Sequence, residues 1–421
     1  RHQFKNAHGK TIIVDLMTQS GVDSKTLTAT AAGNPPDVAG LWSSNMASFA
    51  NFGALTPLDD FCRASNTSRK DYIPVYWDIC QYEGHTYALP SAPATVALYY
   101  NKGLFKAMAT QLRAAGLNPD RPPATLGELD RYNAVLTVRD PATGRYTQVG
   151  FMPTEPGWWT WAWGQWFGGH LIDKDGNITA TDPGNIAALE WAQTIARTYN
   201  STDLDKFHDG FGQFDSPRNA FIEGKVAMVI QGVWMVNFIK RYNPTMDFAA
   251  APFPAAVDTG GDPITNAECD TLSIPRDAVH PDEAYFFIHW VNTPEGMEIL
   301  CTGQGKHSPL AAQTPQFTEH HPNRYWKLFT DLARSKNAFS TPATPIWNEY
   351  SREISRAFSK IWHGLNDPQG NPYTARSALQ EVQDLMEKRL ANVRAHSHSE
   401  TKAAKSAGAA APSAPTAGAA P

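Results

Sequence analysis

Between residues 11 and 42 the chain reads as strand, helix, strand, and that order constrains the fold more than any other local feature. Thr11-Ile-Ile-Val-Asp-Leu16 is a short run rich in β-branched side chains, which suit a pleated, half-buried surface. Val22–Ala32 reads as a helix that stops at Gly33, and Asn34-Pro35-Pro36 makes a turn, because glycine tolerates the left-handed cap and proline cannot continue a helix. Asp37–Trp42 is then a second strand. This order predicts a parallel strand pair with a right-handed crossover, and hence an α/β protein.

The alternation continues. Gly84–Leu89 and Ala97–Tyr100 read as two strands separated by a Pro90-Ser91-Ala92-Pro93 loop. Thr125-Leu-Gly-Glu128 has capping-box spacing, which starts a helix at about 126. Ile186–Tyr199 is an amphipathic helix, Val226–Ile230 a strand and Met235–Arg241 a helix. Phe248–Ala251 and Asp270–Ile274 are strands, followed by helices at Pro281–Asn292 and Glu295–Leu300. From 322 to 393 the pattern is helical throughout, with Leu379, Val382, Met386, Leu390 and Val393 at three- and four-residue steps. The Ala, Ser and Pro tail at 394–421 is expected to be disordered, with His396 and His398 in a solvated stretch.

A chain of 421 residues predicts two or three domains. Its 36 basic and 41 acidic residues leave a net charge of −5 without a basic stripe, which argues against nucleic acid as a partner. The longest apolar runs, such as Ala227–Ile230, are far too short to span a bilayer. Position 1 is Arg and no charged and apolar leader follows it, so no signal segment is read in this chain. Cys62 with Cys80 and Cys269 with Cys301 either form two disulfides suited to an oxidising compartment or are four buried thiols.

Aromatic residues are abundant, with 13 Trp, and five of these fall between Trp158 and Trp166. A helix starting near 157 would put Trp159, Trp163 and Trp166 on one stripe and Trp158 and Trp161 on another, one stripe being core.

Four stretches together carry a family resemblance. They are Ala32-Gly-Asn-Pro-Pro-Asp-Val38; Tyr87-Ala-Leu-Pro90 with Ala97-Leu-Tyr-Tyr-Asn-Lys-Gly-Leu-Phe105; Phe221-Ile-Glu-Gly-Lys-Val-Ala-Met228 with Gly232-Val-Trp234; and Asn292-Thr-Pro-Glu-Gly296. In this order and spacing, residues 1 to about 393 resemble the extracellular solute-binding proteins of ABC sugar importers, the class that includes maltose-binding protein. The resemblance implies a two-lobed periplasmic-binding-protein fold of the type II kind, with a ligand cleft between the lobes and a helical C-terminal part. Lobe one would hold 1–100 and 271–310, and lobe two 101–270 and 311–393. Such proteins have one further strand and helix ahead of a segment like Phe4–Val14, so lobe one is expected to lack its first strand here.

By the same resemblance the function is capture of a carbohydrate, an oligosaccharide or related polyol, by hinge closure. Delivery to ABC permease subunits would follow, from a periplasmic or extracellular location, by a monomer without catalysis, cofactor or metal. A pyranose offers an apolar face and a hydroxyl rim, which call for aromatic platforms and fixed polar groups. The resemblance places Glu155, Trp158 and Trp234 in the cleft from lobe two, and Trp42, Ser44 and Asn45 from lobe one. Ser91, Asn266, Glu268, Trp347 and Asn348 are further candidates.

Other signals lead elsewhere. Gly303-Gln-Gly-Lys306 lacks the glycine a phosphate loop needs, and His320-His321 lacks a third metal ligand. Glu155 and Glu268 could serve as the carboxylate pair of a glycoside-active enzyme. A receptor for glycerol phosphodiesters is a second alternative, but no Arg-rich loop favours it. Which sugar would be bound is not encoded in any readable spacing.

Overall fold

A computed structural model describes residues 2–5 and 9–408. Two strands organise it. Ala88–Asn101 is a single strand with all 14 residues buried, where the sequence suggested two strands and a loop. Its neighbour Thr265–Ser273 runs antiparallel to it. Pro90 and Pro93 lack N–H donors, yet both lie in the ladder, opposite Thr271 and Cys269, and the register shifts between those two partners. Prolines enter sheets at such irregularities, which is why the loop signal misled.

Both strands pass from one half of the molecule to the other. In the first half, Ala39–Trp42 pairs antiparallel with Thr265–Ser273, with Leu41 opposite Thr271. In the second, Val226–Gly232 pairs antiparallel with the long strand and parallel with Tyr146–Phe151, while Phe248–Ala251 covers the other side. The sheet has eight strands.

The strand–helix–strand expectation is corrected. Thr11–Val14 pairs antiparallel with His2–Lys5, and not with Ala39–Trp42. Between Thr11–Val14 and Ala39–Trp42 lies a slot of about 740 Å³. Ile12 and Val14 line one edge and Ala39 and Gly40 the other, with Thr26 and Phe287 from two helices also lining it. At ~4.8 Å between strands, ~10 Å between layers and ~3.3 Å per residue, a covered strand fills about 160 Å³ per residue, so the slot has the volume of a strand of roughly four or five residues.

Each half has its own core. The second half holds a large cluster from Val96 to Leu390, containing Trp163, Trp166 and Trp191, and a separate one that includes Tyr99, Phe221, Val229 and Phe248. The first half is divided: Leu58, Ile288, Met297 and Phe317 form one cluster, Leu41, Phe49 and Ala88 another, and Ile73, Tyr76 and Ala267 sit at the crossover. Phe317 packs in the first half, so the chain returns to the second after 310, through Ala338–Phe339 beside Thr265–Asn266 and into helix Trp347–Trp362.

The expected helical finish is three helices, Trp326–Ala333, Trp347–Trp362 and Ala375–Gly408, with Pro342 and Pro345 breaking the stretch between the first two. Leu379, Val382, Met386 and Leu390 are all buried, as their spacing predicts. The last helix continues through 394–408, contrary to the disorder expected there, because Ala, Lys and Glu are strong helix formers. The rest of that tail, 409–421, lies outside the described residues. The helix expected from 157 is a series of turns, and only Trp163–Trp166 is helical.

All four cysteines are free and buried, not paired 62–80 and 269–301. The packing explains this: Cys62 and Cys301 share a cluster, while Cys80 lies with Leu41 and Cys269 with Tyr76. Burial pushes the Cys80 and Cys269 thiols up, and that of Cys301 to about 12. Thiols held this far from ionisation are chemically inert. Among the described residues no helix is long and apolar enough to cross a membrane, and no His, Cys, Asp and Glu cluster could hold a metal.

Candidate functional site

The aromatic residues divide by depth. Trp163 and Trp166 are fully buried, and Trp159 donates its indole N–H to the Ile230 carbonyl. Trp158 is 37% exposed. Its ring meets Phe214 edge-on at 4.6 Å and lies 6.2 Å from Trp234. Trp234 folds back over Gly232, where a Cβ would stand 2.2 Å from the indole ring. Gly232 is therefore required for that ring position. The Trp234 indole N–H is buried and has no hydrogen-bond partner among the described residues. The result is a platform of three aromatics on the second half, just beyond the strand Val226–Gly232.

Glu155 sits behind this platform, 4% exposed. His208 Nε2 is 2.8 Å from one carboxylate oxygen, and Asn219 Nδ2 donates to the other at 3.3 Å. The hydrogen bond to Glu155 holds the His208 imidazolium above the ordinary histidine range, against the effect of burial. The network ties the turn that carries Trp158 to two distant segments.

Glu268 joins the halves. Ser43 Oγ donates to Oε2 at 2.5 Å; Thr341 N–H, Thr341 Oγ1 and Asn266 Nδ2 donate to Oε1 at 2.5, 2.7 and 3.2 Å. Burial pushes this carboxyl up, and the donors hold it back. Its oxygens are occupied by the protein, as are those of Glu155, and the two glutamates share no partner.

The remaining candidates are spread along the junction. Trp42 and Ser44 are half-buried at the end of Ala39–Trp42, where open α/β sheets present ligands. Asn348 Nδ2 donates to Asn45 Oδ1 at 2.9 Å, so the two halves touch at this lip. Trp347 is buried, its ring 4.8 Å from Trp161. Ser91 lies in the long strand, not in a loop, and donates to the Asp270 carbonyl. Asn266 is fully buried, with Oδ1 lacking a partner among the described residues. Sequence reasoning missed Phe214, His208, Asn219 and Thr341. Phe214 stood out in a polar turn; the other three carried no local signal.

Residues 1–323 match the family of bacterial extracellular solute-binding proteins. The chain belongs to that family. The solute-binding proteins it resembles include the maltotriose-binding protein of Pyrococcus abyssi, 24% identical over 66% of this chain and 55% of its own length. The structure of CpMnBP1 with mannotriose bound is 29% identical with a TM-score of 0.72, covering 88% of this chain and 90% of that one. The sugar-binding protein MalE of Xanthomonas citri, at 21% identity and a TM-score of 0.68 over 88% of each chain, has the same two-lobed fold.

Proposed function

We propose that this solute-binding protein is the capturing component of an ABC importer for an oligosaccharide. It closes its two lobes on the sugar and hands it to membrane permease subunits, working as a monomer on the outer side of the membrane. The single observation that carries this reading is the mannotriose-bound CpMnBP1 structure, which aligns over nearly the whole chain. The three-ring platform of Trp158, Phe214 and Trp234 supports it, since flat aromatic surfaces complement the C–H face of a pyranose. Trp158 and Trp234 serve as stacking surfaces, and Trp42, Ser44, Asn45 and Asn348 supply hydroxyl partners at the lip. Glu155 positions Trp158, and Glu268 with Asn266 and Ser91 holds the junction.

The test is calorimetry against manno-, malto- and cello-oligosaccharides, with sn-glycerol 3-phosphate in the same panel because some relatives carry that name. Binding of a sugar, with no release of reducing ends, is expected. Trp234→Ala weakens that binding more than tenfold, since stacking on a desolvated ring contributes about 1–3 kcal/mol. Turnover, or binding of the glycerol phosphate alone, overturns the reading.

A further inference from the structure

Glu155 grips the loop that carries Phe214 at both of its ends. The helix Ser201–His208 leads into this loop, and Asn219 closes it. His208 Nε2, at the entry, lies 2.8 Å from one Glu155 oxygen, and Asn219 Nδ2, at the exit, donates to the other at 3.3 Å. Asn219 is itself fixed, because its Oδ1 accepts from the Phe221 and Ile222 N–H groups. Between these points the loop is tied into one unit: Gly212 N–H donates to the Arg218 carbonyl at 2.9 Å, and the Arg218 guanidinium to the Gly210 carbonyl at 3.1 Å. The unit holds the Phe214 ring 4.6 Å from Trp158 and 6.5 Å from Trp234. One buried carboxylate thus sets where the third ring of the platform stands.

The two grips differ in kind. Asn219 donates at any pH, whereas His208 is charged only while its ring is protonated, and hydrogen bonds between charged partners are roughly twice as strong as neutral ones. Acidic groups face the ring: Glu155 from the turn, and Asp205 and Asp209 from its own helix and its end, with Asp209 Oδ1 4.0 Å from Nδ1. Asp205 is shared with the end of the helix Trp347–Trp362, accepting from Trp362 Nε1 at 3.0 Å and lying 3.5 Å from His363 Nδ1. The His208 side chain is a third exposed, so it exchanges protons with solvent. Loss of its proton leaves Glu155 buried against a neutral ring, and the entry grip weakens while the exit grip stays.

We propose that His208 is a positioning residue for ligand binding: its imidazolium latches the loop 209–218 onto Glu155, and loss of the proton frees Phe214 from the platform, so the receptor binds its sugar more tightly in acidic than in alkaline medium. The proposal rests on the carbohydrate reading above. By reciprocity, sugar binding draws a proton onto the protein wherever His208 is partly ionised.

Calorimetry with mannotriose, maltotriose and cellotriose from about pH 6 to about pH 9 tests it. For whichever binds, affinity is expected to fall up to about tenfold across that range, and heats measured in buffers of different ionisation enthalpy show uptake of a fraction of a proton. His208→Gln keeps a neutral donor; it abolishes the slope and the proton uptake and holds affinity near the parent's alkaline value. His208→Lys, charged throughout the range, flattens the profile near the acid value. A melting curve at each pH checks folding, and a merely structural His208 would lower stability without removing the slope. A second readout needs no ligand: tryptophan emission of the free protein titrates with a midpoint above about 6.5, and in His208→Gln it does not. An affinity flat with pH in the parent, or a slope or emission change that persists in His208→Gln, overturns the latch and leaves the receptor reading standing. Absence of binding by every sugar at every pH overturns the receptor reading, and the emission titration then decides the latch by itself.

Discussion

The two halves of the molecule are held together by different means. The second half has one large core cluster, from Val96 to Leu390, in which Trp163 touches Phe151, Trp166, Trp191 and Phe253, and a second around Tyr99, Phe221 and Val229. The first half divides its apolar residues among smaller clusters and leaves a strand-sized slot beside Thr11–Val14. The half with the large cluster carries the aromatic platform, and the other carries the polar lip Trp42–Asn45. Trp234 of that platform packs against both clusters of the second half.

One substitution in the large core outweighs any other. Trp163→Ala should cost about 3–5 kcal/mol, read as a lower urea midpoint, and should shift the later of two unfolding transitions. A shift of the earlier transition alone would break the comparison. Next is the junction. Glu268→Ala leaves Ser43, Thr341 and Asn266 without their acceptor, for about 1–3 kcal/mol. It should separate the two transitions further, and a single unchanged transition would show that Glu268 does not couple the halves.

A smaller effect is expected at Gly232→Ala. The added methyl group would meet the Trp234 ring at 2.2 Å, so the ring moves. Tryptophan emission changes and sugar affinity falls about tenfold, while stability changes little, as measured by fluorescence titration.

The smallest effect is on pH dependence. His208 is raised by Glu155, so its stabilisation is complete below the ordinary histidine value of about 6.5. It is lost as pH rises through the raised folded value. Because the ring is a third exposed, the contribution is under about 1 kcal/mol. In His208→Gln the second half's melting temperature should stop falling across that window; a slope unchanged from the parent would assign it elsewhere.

Family, fold class and most helices were legible in the sequence, because capping residues and apolar steps such as Leu379 to Leu390 act locally. Strand partners were not. The 11–14 and 39–42 segments have the composition of strands, but composition does not say which edge each one meets. Pro90 and Pro93 looked like a loop because the register shift that admits them lies in residues 269–271, far along the chain. The site divided the same way. Trp158 and Trp234 were marked by their neighbours, whereas His208, Asn219 and Thr341 act through partners 50 or more residues away. The roles expected for the two glutamates as ligand groups gave no hint that each would hold protein partners on both oxygens.

The slot has a consequence for handling this chain. Two backbone edges face it, and Ile13, Leu16 and Met17 beside it are 54%, 66% and 78% exposed. Open edges with apolar side chains are templates on which another chain can add as a strand. Self-association should therefore begin at this place and grow with concentration, and a charged residue at Ile13 should suppress it without touching the aromatic platform on the opposite half.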